Sequence, residues 1–282
     1  MTRLVHESSE LRALLDGARS AGKRIGFVPT MGALHEGHLA LVEHALLSAD
    51  FIVVSIFVNP LQFGPSEDYS RYPRTLDADV EACRGRGVDI VFAPDRETMY
   101  PDGFATAVEV SGVSDVLEGA HRPGHFRGVT TVVAKLFALV GPCTAVFGRK
   151  DYQQWKVIER MTRDLGLPVG IIGMHTVREP SGLALSSRNR YLSEAERGRA
   201  LAIITGLRAA DAAFAAGERD AQIIESLARG PIEKAFDRID YVSVADAESL
   251  QPLVGHIASR AVVAVAAKLG TTRLIDNFVL GD

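Results

Sequence analysis

The sequence predicts an α/β protein: a doubly wound parallel sheet followed by a smaller α+β domain. Three observations predict it. Strand-sized apolar runs alternate with helix-period segments over the first 176 residues. One such run, Phe51-Ile52-Val53-Val54-Ser55-Ile56-Phe57-Val58, is nearly continuous, as a central parallel strand covered on both faces should be. After about Val177 the alternation stops, and alanine-rich helices are followed by strands.

In order, Glu7–Ser20 carries Leu11, Leu14, Leu15 and Ala18 at helical spacing. Ile25–Val28 reads as a buried strand, Pro29–Gly32 as a turn, and the stretch from His35 to Ser48 as a helix. With Phe51–Val58 these form a right-handed βαβ unit. Asn59–Pro65 is a loop broken by two prolines and Gly64, and a polar stretch runs from Ser66 to Arg74. A helix is expected near Leu76–Arg86, a strand at Val88–Ala93 and another at Val108–Ser111. A glycine-bounded loop, Gly119–Gly128, precedes a helix at Val129–Val140. A strand at Ala145–Phe147, a helix at Tyr152–Leu165 and a strand at Val169–Val177 complete a sheet of the Rossmann-like type, spanning residues 1–176. Residues 177–282 then hold helices at Glu194–Ala216 and Ala221–Ala228, with strands at Asp240–Ala245, Arg260–Ala267 and Arg273–Asp276.

Hydrophobic content of 47% over 282 residues supports a sizeable core. A net charge of −4 gives no reason to expect nucleic acid or an anionic membrane as partner, so an anionic ligand must be met by a local positive cluster. The two cysteines, Cys83 and Cys143, lie far apart in sequence and suit a reduced, cytoplasmic setting. The charged N-terminus does not read as a signal peptide, and no uncharged apolar run reaches the roughly 18 residues of a membrane span.

Function centres on Ile25–Leu47, IGFVPTMGALHEGHLALVEHALL. A strand feeding a glycine loop and a helix N-terminus presents N–H groups and the positive end of the helix dipole to an anion. His35 and His38 can donate hydrogen bonds to phosphate there, while Gly32 and Gly37 let a ligand approach the backbone. The plainer role for the two rings is helix capping. Two decoys stand nearby. Gly17–Arg24 nearly spells a P-loop, but it ends in Arg where a hydroxyl should reach Mg²⁺ and it precedes a strand. His35-Glu36-Gly37-His38 is one residue short of the zinc-protease spacing.

Two further stretches offer phosphate-binding groups. Phe147-Gly148-Arg149-Lys150-Asp151-Tyr152-Gln153-Gln154 leaves the end of a strand, the rim where such sheets bind ligands. Lys150 brings a point charge and Gln154 an amide one turn later; a surface Lys–Asp pair is the alternative. In Arg178–Asn189, Ser186, Ser187 and Arg188 place two hydroxyls and a guanidinium side by side, a grip suited to triphosphate. An interdomain turn leading to a helix cap at Ser193 is the alternative.

Taken together, PTMGALHEGHL, the Lys150-Asp151-x-x-Gln154 core and Ser186–Arg188 resemble the pantothenate synthetase family of the HIGH-motif nucleotidyltransferases. The resemblance implies ATP-dependent condensation of pantoate with β-alanine through pantoyl adenylate, releasing AMP and pyrophosphate. It implies Mg²⁺ carried with ATP, no tightly bound organic cofactor, and a homodimer. It places ATP against Met31, Gly32, Ala33, Leu34, His35, Glu36, Gly37 and His38. A second group of contacts is Gly148, Arg149, Lys150 and Asp151. A third is Val177 with Leu185, Ser186, Ser187 and Arg188, in the manner of a flexible KMSKS-type loop. His38, His35, Lys150 and Arg188 are the expected catalytic groups.

Gln62, Gln154 and Asn59, with Met31 as an apolar wall, suit a small hydroxy acid with a gem-dimethyl group. Arg122, His125 and Arg127 could counter its carboxylate or line a solvated loop. Asp77 and Asp79 could hold Mg²⁺-bound water or simply favour a helix N-terminus. The chain departs from the family pattern at Arg149, where an acid is usual, at Leu185, where some relatives have Met, and at Ala78, often acidic. Residues 177–282 are expected to close over the nucleotide and shield the adenylate from water. Two other readings share the His35/His38 site: an enzyme that adenylylates a phosphate to give a dinucleotide, and a non-catalytic nucleotide sensor.

Overall fold

The computed structural model describes residues 2–65 and 67–282. Ser66, the first residue of the expected polar stretch, lies outside them. A six-stranded parallel sheet is built from β1 (Arg3–Val5), β2 (Ile25–Thr30), β3 (Phe51–Ile56), β4 (Ile90–Phe92), β5 (Cys143–Gly148) and β6 (Val169–Met174), in the order β1-β4-β3-β2-β5-β6. The chain builds outward from β2 to β3 and β4, then returns to place β5 on the other side of β2. That reversal is the switch point at which open α/β sheets bind ligands, at the carboxyl ends of the strands. From those ends the chain runs from β2 into Met31 and from β5 into Arg149.

The helices are α1 (Ser8–Ser20), α2 (Glu36–Leu46), α3 (Leu76–Gly85), α4 (Arg96–Met99), α5 (Glu118–His121), α6 (His125–Val140) and α7 (Tyr152–Asp164). The α2 stripe of Leu41, Val42 and Ala45 buries against Val28, Ile52, Val54 and Val91 of the sheet. Fully burying a Leu or Val side chain is worth about 1.5–3 kcal/mol, which seats α2 on the sheet. Gly17, in the P-loop decoy, lies inside α1.

The C-terminal part holds α8 (Glu194–Ala215), α9 (Ala221–Ala235) and an antiparallel sheet of β7 (Arg238–Asp246), β8 (Ala261–Leu269) and β9 (Thr272–Val279), in the order β7-β8-β9. Gly206 lets α8 meet α9 closely: a Cβ there would lie 2.1 Å from the Ala228 carbonyl oxygen.

Several elements depart from expectation; α4 and α5, of four residues each, have no counterpart in the sequence reading. β1 has no counterpart in the sequence reading; it is a three-residue edge strand paired only with β4, too short to show periodicity. Val108–Ser111 forms no strand; Val108 instead donates its N–H to the Thr131 hydroxyl. α6 begins at His125, inside the expected glycine-bounded loop, after Gly124 in a left-handed conformation. α9 runs through Pro231 to Ala235, past the expected stop at Ala228.

The molecule divides into two compact units. One comprises Met1–Val110, Arg122–Arg149 and Val157–His175; the other comprises Ser111–His121, Lys150–Lys156 and Thr176–Asp282. Within the second unit, a buried charge cluster ties the first segment to the sheet. Arg273 meets both Glu118 carboxylate oxygens at 2.7 Å and Asp240 Oδ2 at 2.7 Å, while the Tyr241 hydroxyl donates to Glu118 at 2.8 Å. Gln153 accepts from the Glu118 N–H at 2.9 Å and donates to the Val113 and Val116 carbonyls, which fixes the approach to α5.

Burial alone would raise the Asp240 pKa, but the Arg273 hydrogen bond and the Arg273 and Arg238 charges hold it below the usual carboxylate range. Stability from this carboxylate is therefore full above its unfolded-state value near 4 and is lost as pH falls through the lower folded value. Asp240→Asn should destabilise the protein at neutral pH, and the gap to the wild type should narrow as the medium is acidified. Urea denaturation at several pH values measures this; a gap constant with pH would contradict it.

Candidate functional site

The turn between β2 and α2 carries two left-handed residues, Gly32 at φ +80° and Ala33 at φ +51°. Glycine accepts this without cost; alanine does not, at roughly 1–2 kcal/mol. The turn is held from two sides. The Thr30 hydroxyl donates to the Ser55 carbonyl at 2.8 Å and accepts from the Gly32 N–H at 3.1 Å. Asp79, 3% exposed, accepts from the Ala33 N–H at Oδ2 (2.9 Å) and from the Leu34 N–H at Oδ1 (2.8 Å), and the Thr75 hydroxyl donates to the same Oδ1 at 3.2 Å.

Of the two carboxylates expected at the start of α3, Asp79 faces the turn with both oxygens engaged, and Asp77 is exposed. No group of three or more metal-type side chains occurs among the described residues.

His35 is the N-cap of α2 and His38 its third residue. His35 Nδ1 accepts from the Gly37 N–H at 3.1 Å, and His38 Nδ1 accepts from the His35 N–H at 3.3 Å. The rings stack with centroids 4.0 Å apart. Capping and phosphate donation are thus compatible. A ring whose Nδ1 accepts carries its proton on Nε2 when neutral, so both histidines are set as Nε2–H donors at a helix N-terminus.

Beside them, Gln62 is 8% exposed and Asn59 is 1% exposed. Asn59 donates to Gln62 Oε1 at 3.0 Å and to the Gly128 carbonyl at 3.1 Å, and Gln62 Nε2 approaches Met31 Sδ at 3.1 Å. Asn59 therefore supports Gln62 from within the protein.

Arg122 and His125 support the same loop. Arg122 pairs with Glu67 through two contacts of 2.7 Å and donates to His125 Nε2 at 3.0 Å; His125 Nδ1 donates to the Gln62 carbonyl at 2.8 Å. Burial opposes ionisation of Glu67, yet the Arg122 hydrogen bond and charge leave its pKa lowered. The Arg122 charge is balanced by Glu67. Arg127, from the same loop, is exposed.

Following β5, Arg149–Asp151 forms a 3-10 turn. Arg149 donates to the Gly173 carbonyl at 2.9 Å. The Lys150 ammonium lies 3.8 Å from Asp151, too long for a strong pair, and its carbonyl accepts from Asn277 at 2.8 Å. Gln153 is committed to bracing α5, whereas Gln154 is only half-buried.

The stretch from Val177 to Asn189 braces itself. Leu185 donates to the Val177 carbonyl at 3.0 Å, Arg178 bridges to Ala184, and Gly182 turns the chain at φ +96°. Arg178 grips Asp276 at 2.6 and 2.9 Å, and Asn189 ties Glu179 to the Ala184 carbonyl. Ser186 caps the next 3-10 turn, Ser187–Tyr191, by accepting from the Arg188 N–H at 3.3 Å. This turn therefore begins at the hydroxyl–guanidinium group itself.

The sequence profile described as pantoate-beta-alanine ligase matches residues 3–279. The chain belongs to the pantoate–β-alanine ligase family. Curated relatives of the ligase include Pantothenate synthetase 1 of Bradyrhizobium diazoefficiens, 53% identical over 99% of this chain and 98% of that protein. The pantothenate synthetase of Moorella thermoacetica is 52% identical over 98% of each. Among solved structures, pantothenate synthetase from Thermus thermophilus superposes with TM-score 0.93 at 48% identity, covering 99% of both chains. The Francisella tularensis ligase, solved with beta-gamma ATP and beta-alanine, superposes with TM-score 0.83 at 33% identity over 100% of this chain and 99% of that one.

Sequence reasoning missed Tyr100, Glu67, Gln153 and Gly128. Only the proximity of opposite charges could have hinted at Glu67–Arg122; nothing local marks the other three.

Losing Asp79 would orphan two N–H groups, each worth about 1–3 kcal/mol when buried. Asp79→Ala should therefore lower stability by about 2 kcal/mol or more, and Asp79→Asn, which keeps one acceptor, by less. Urea midpoints test this; unchanged midpoints would show that the turn holds itself.

Proposed function

We propose that this chain condenses pantoate with β-alanine at the expense of ATP, through a pantoyl-adenylate intermediate. The observation that carries the reading is the pair of Nε2–H donors, His35 and His38, capping α2 at the switch point of the sheet. The family and its ATP- and β-alanine-bound relative support it.

In the first step a pantoate carboxylate oxygen bonds to the α-phosphorus, and the bond from that phosphorus to the pyrophosphate oxygen breaks. In the second, the β-alanine amine bonds to the acyl carbon, the carbon–oxygen bond to AMP breaks, and the amine gives up a proton. The first step sets an anion against a triphosphate of about four negative charges, so catalysis is mainly positioning and electrostatic relief. His35 and His38 donate to the phosphates, with His38 assigned to the leaving pyrophosphate. Lys150, Ser186, Ser187 and Arg188 neutralise the remaining charge. Gln62 and Gln154 orient pantoate against Met31.

Mg²⁺ belongs to this proposal as the companion of ATP. With Asp79 committed to the turn, the phosphates themselves are its main ligands, and the metal would neutralise charge there. The proposal includes a cytoplasmic homodimer in which residues 177–282 serve as a lid that keeps water from the adenylate. Among the described residues, no helix is long and apolar enough to cross a membrane.

The assay supplies ATP, pantoate and β-alanine, omitting each in turn. The expected products are pantothenate, AMP and pyrophosphate; a dinucleotide product or ATP binding without turnover would refute the reading. Lys150→Ala should abolish pyrophosphate exchange with the fold intact. His38→Ala should lower turnover by roughly 10²-fold or more, in the range of general acid catalysis, while losing only about 1 kcal/mol of stability as a helix cap. Near wild-type exchange in the first, or unchanged turnover in the second, would remove the assigned role.

A further inference from the structure

The hydrogen-bond polarity of Gln62 is set by the backbone, through Asn59. A backbone N–H only donates and a backbone C=O only accepts, whereas the two ends of an amide side chain differ in sense. The Leu61 N–H donates to Asn59 Oδ1 at 3.3 Å, and Asn59 Nδ2 donates to the Gly128 carbonyl at 3.1 Å. Exchanging the oxygen and nitrogen of Asn59 would set donor against donor and acceptor against acceptor, so these two contacts fix its orientation. The other Nδ2 proton then donates to Gln62 Oε1 at 3.0 Å. Gln62 Oε1 is thus turned to Asn59, and its NH₂ group is turned towards Met31 Sδ at 3.1 Å.

Tyr100 adds a third constraint. Its hydroxyl lies 2.8 Å from Asn59 Oδ1. A phenol can donate or accept, but Oδ1 has only lone pairs to offer, so Tyr100 is the donor. Burial raises the phenol pKa, which keeps that proton in place at neutral pH. The ring is itself held, edge-on to Phe57 at 5.9 Å and against Phe104 at 5.0 Å. The geometry also depends on close packing of α6 against the loop: a Cβ on Gly128 would lie 2.1 Å from the Leu61 carbonyl oxygen.

We infer that Tyr100 and Asn59 are positioning residues that lock the Gln62 amide with its NH₂ group on the Met31 side, so the atom received on that side is an oxygen acceptor of the hydroxy acid and not a donor. The inference rests on the reading that pantoate binds at Gln62, and it goes beyond that reading by assigning the sense of the contact and the residues that impose it. Reversing Gln62 would put its carbonyl oxygen against a substrate oxygen, turning an attraction into a repulsion. Neither Asn59 nor Tyr100 needs to touch the substrate for this.

Three substitutions test it: Tyr100→Phe, which removes only the hydroxyl; Asn59→Asp, which keeps the shape of Asn59 but cannot donate to Gln62; and Gln62→Ala, which removes the group being oriented. The expected result is a pantoate KM raised about tenfold in Asn59→Asp and several-fold in Tyr100→Phe, with KM for ATP changed by less than about twofold, as fits a hydrogen bond lost or reversed. In the Gln62→Ala background, neither substitution should raise the pantoate KM further, because residues acting only through Gln62 are fully coupled to it. Unchanged pantoate KM in Tyr100→Phe would overturn the inference. So would effects that persist undiminished in Gln62→Ala, or that fall equally on ATP. Tyr100→Phe alone decides the matter if the buried carboxylate of Asn59→Asp prevents folding. Wild-type turnover is measured first; its absence would sink the proposed activity and this role with it, whereas normal turnover with unresponsive variants would sink the role alone.

Discussion

One buried carboxylate holds the turn on which the proposed phosphate site depends. Asp79 accepts from two successive N–H groups of the β2–α2 turn, and one of those residues, Ala33, has a left-handed backbone that a non-glycine residue adopts at a cost. The turn fixes where α2 begins, and the start of α2 fixes His35 and His38. An uncharged acceptor at position 79 would bond these N–H groups more weakly, since hydrogen bonds to an ionised group are roughly twice as strong. Gly32 is constrained by the same arrangement: a Cβ there would meet Ile56 at 2.9 Å and Asp79 itself at 3.1 Å.

Four polar side chains of this first unit follow a common rule. His35, His38, His125 and Asn59 each have one end tied to a backbone group of fixed polarity, and that tie decides what the other end can offer. His35 and His38 accept at Nδ1 from backbone N–H groups and so carry their protons on Nε2. His125 has the opposite tautomer, donating from Nδ1 to the Gln62 carbonyl and accepting at Nε2 from Arg122. Asn59 passes the polarity of α6 on to Gln62.

What could be read from the sequence is what local pattern encodes. The β2, β3, β5 and β6 strands showed as apolar runs, and α2 and α7 by their 3.6-residue period. The HEGH stretch identified the turn because glycine, histidine and the helix start are neighbours in the chain. The features that escaped notice depend on residues far apart. Asp79 lies 46 positions from Ala33 and 45 from Leu34, Glu67 lies 55 from Arg122, and Tyr100 lies 41 from Asn59. No periodicity links such pairs. Gln153 and Gln154 show the limit most simply. Chemically identical and adjacent, they differ only in direction around α7, so that one braces the approach to α5 while the other is half-buried. β1 escaped because three residues cannot display a period, and Val108–Ser111 misled because a strand-like composition does not supply a strand to pair with.

The second unit solves a different problem. In the proposed reading the stretch 177–189 presents Ser186, Ser187 and Arg188 to the phosphates, yet it contains no regular element before its 3-10 turn. The structure anchors it at spaced points: Arg178 on Asp276 of β9, Glu179 on Asn189 and Arg197, and Val177 on Leu185 through the backbone. Two of these anchors are charge pairs partly shielded from water, with Arg178 18% and Asp276 5% exposed at the side chain. A shielded, bidentate pair is lost only at the cost of leaving a charge poorly solvated, so Arg178–Asp276 restrains the base of the loop far more than an exposed pair would. The array itself sits beyond the anchors, opened by the Ser186 cap. Its shape is therefore set by the hydrogen bonds around it, and its position by the β9 carboxylate.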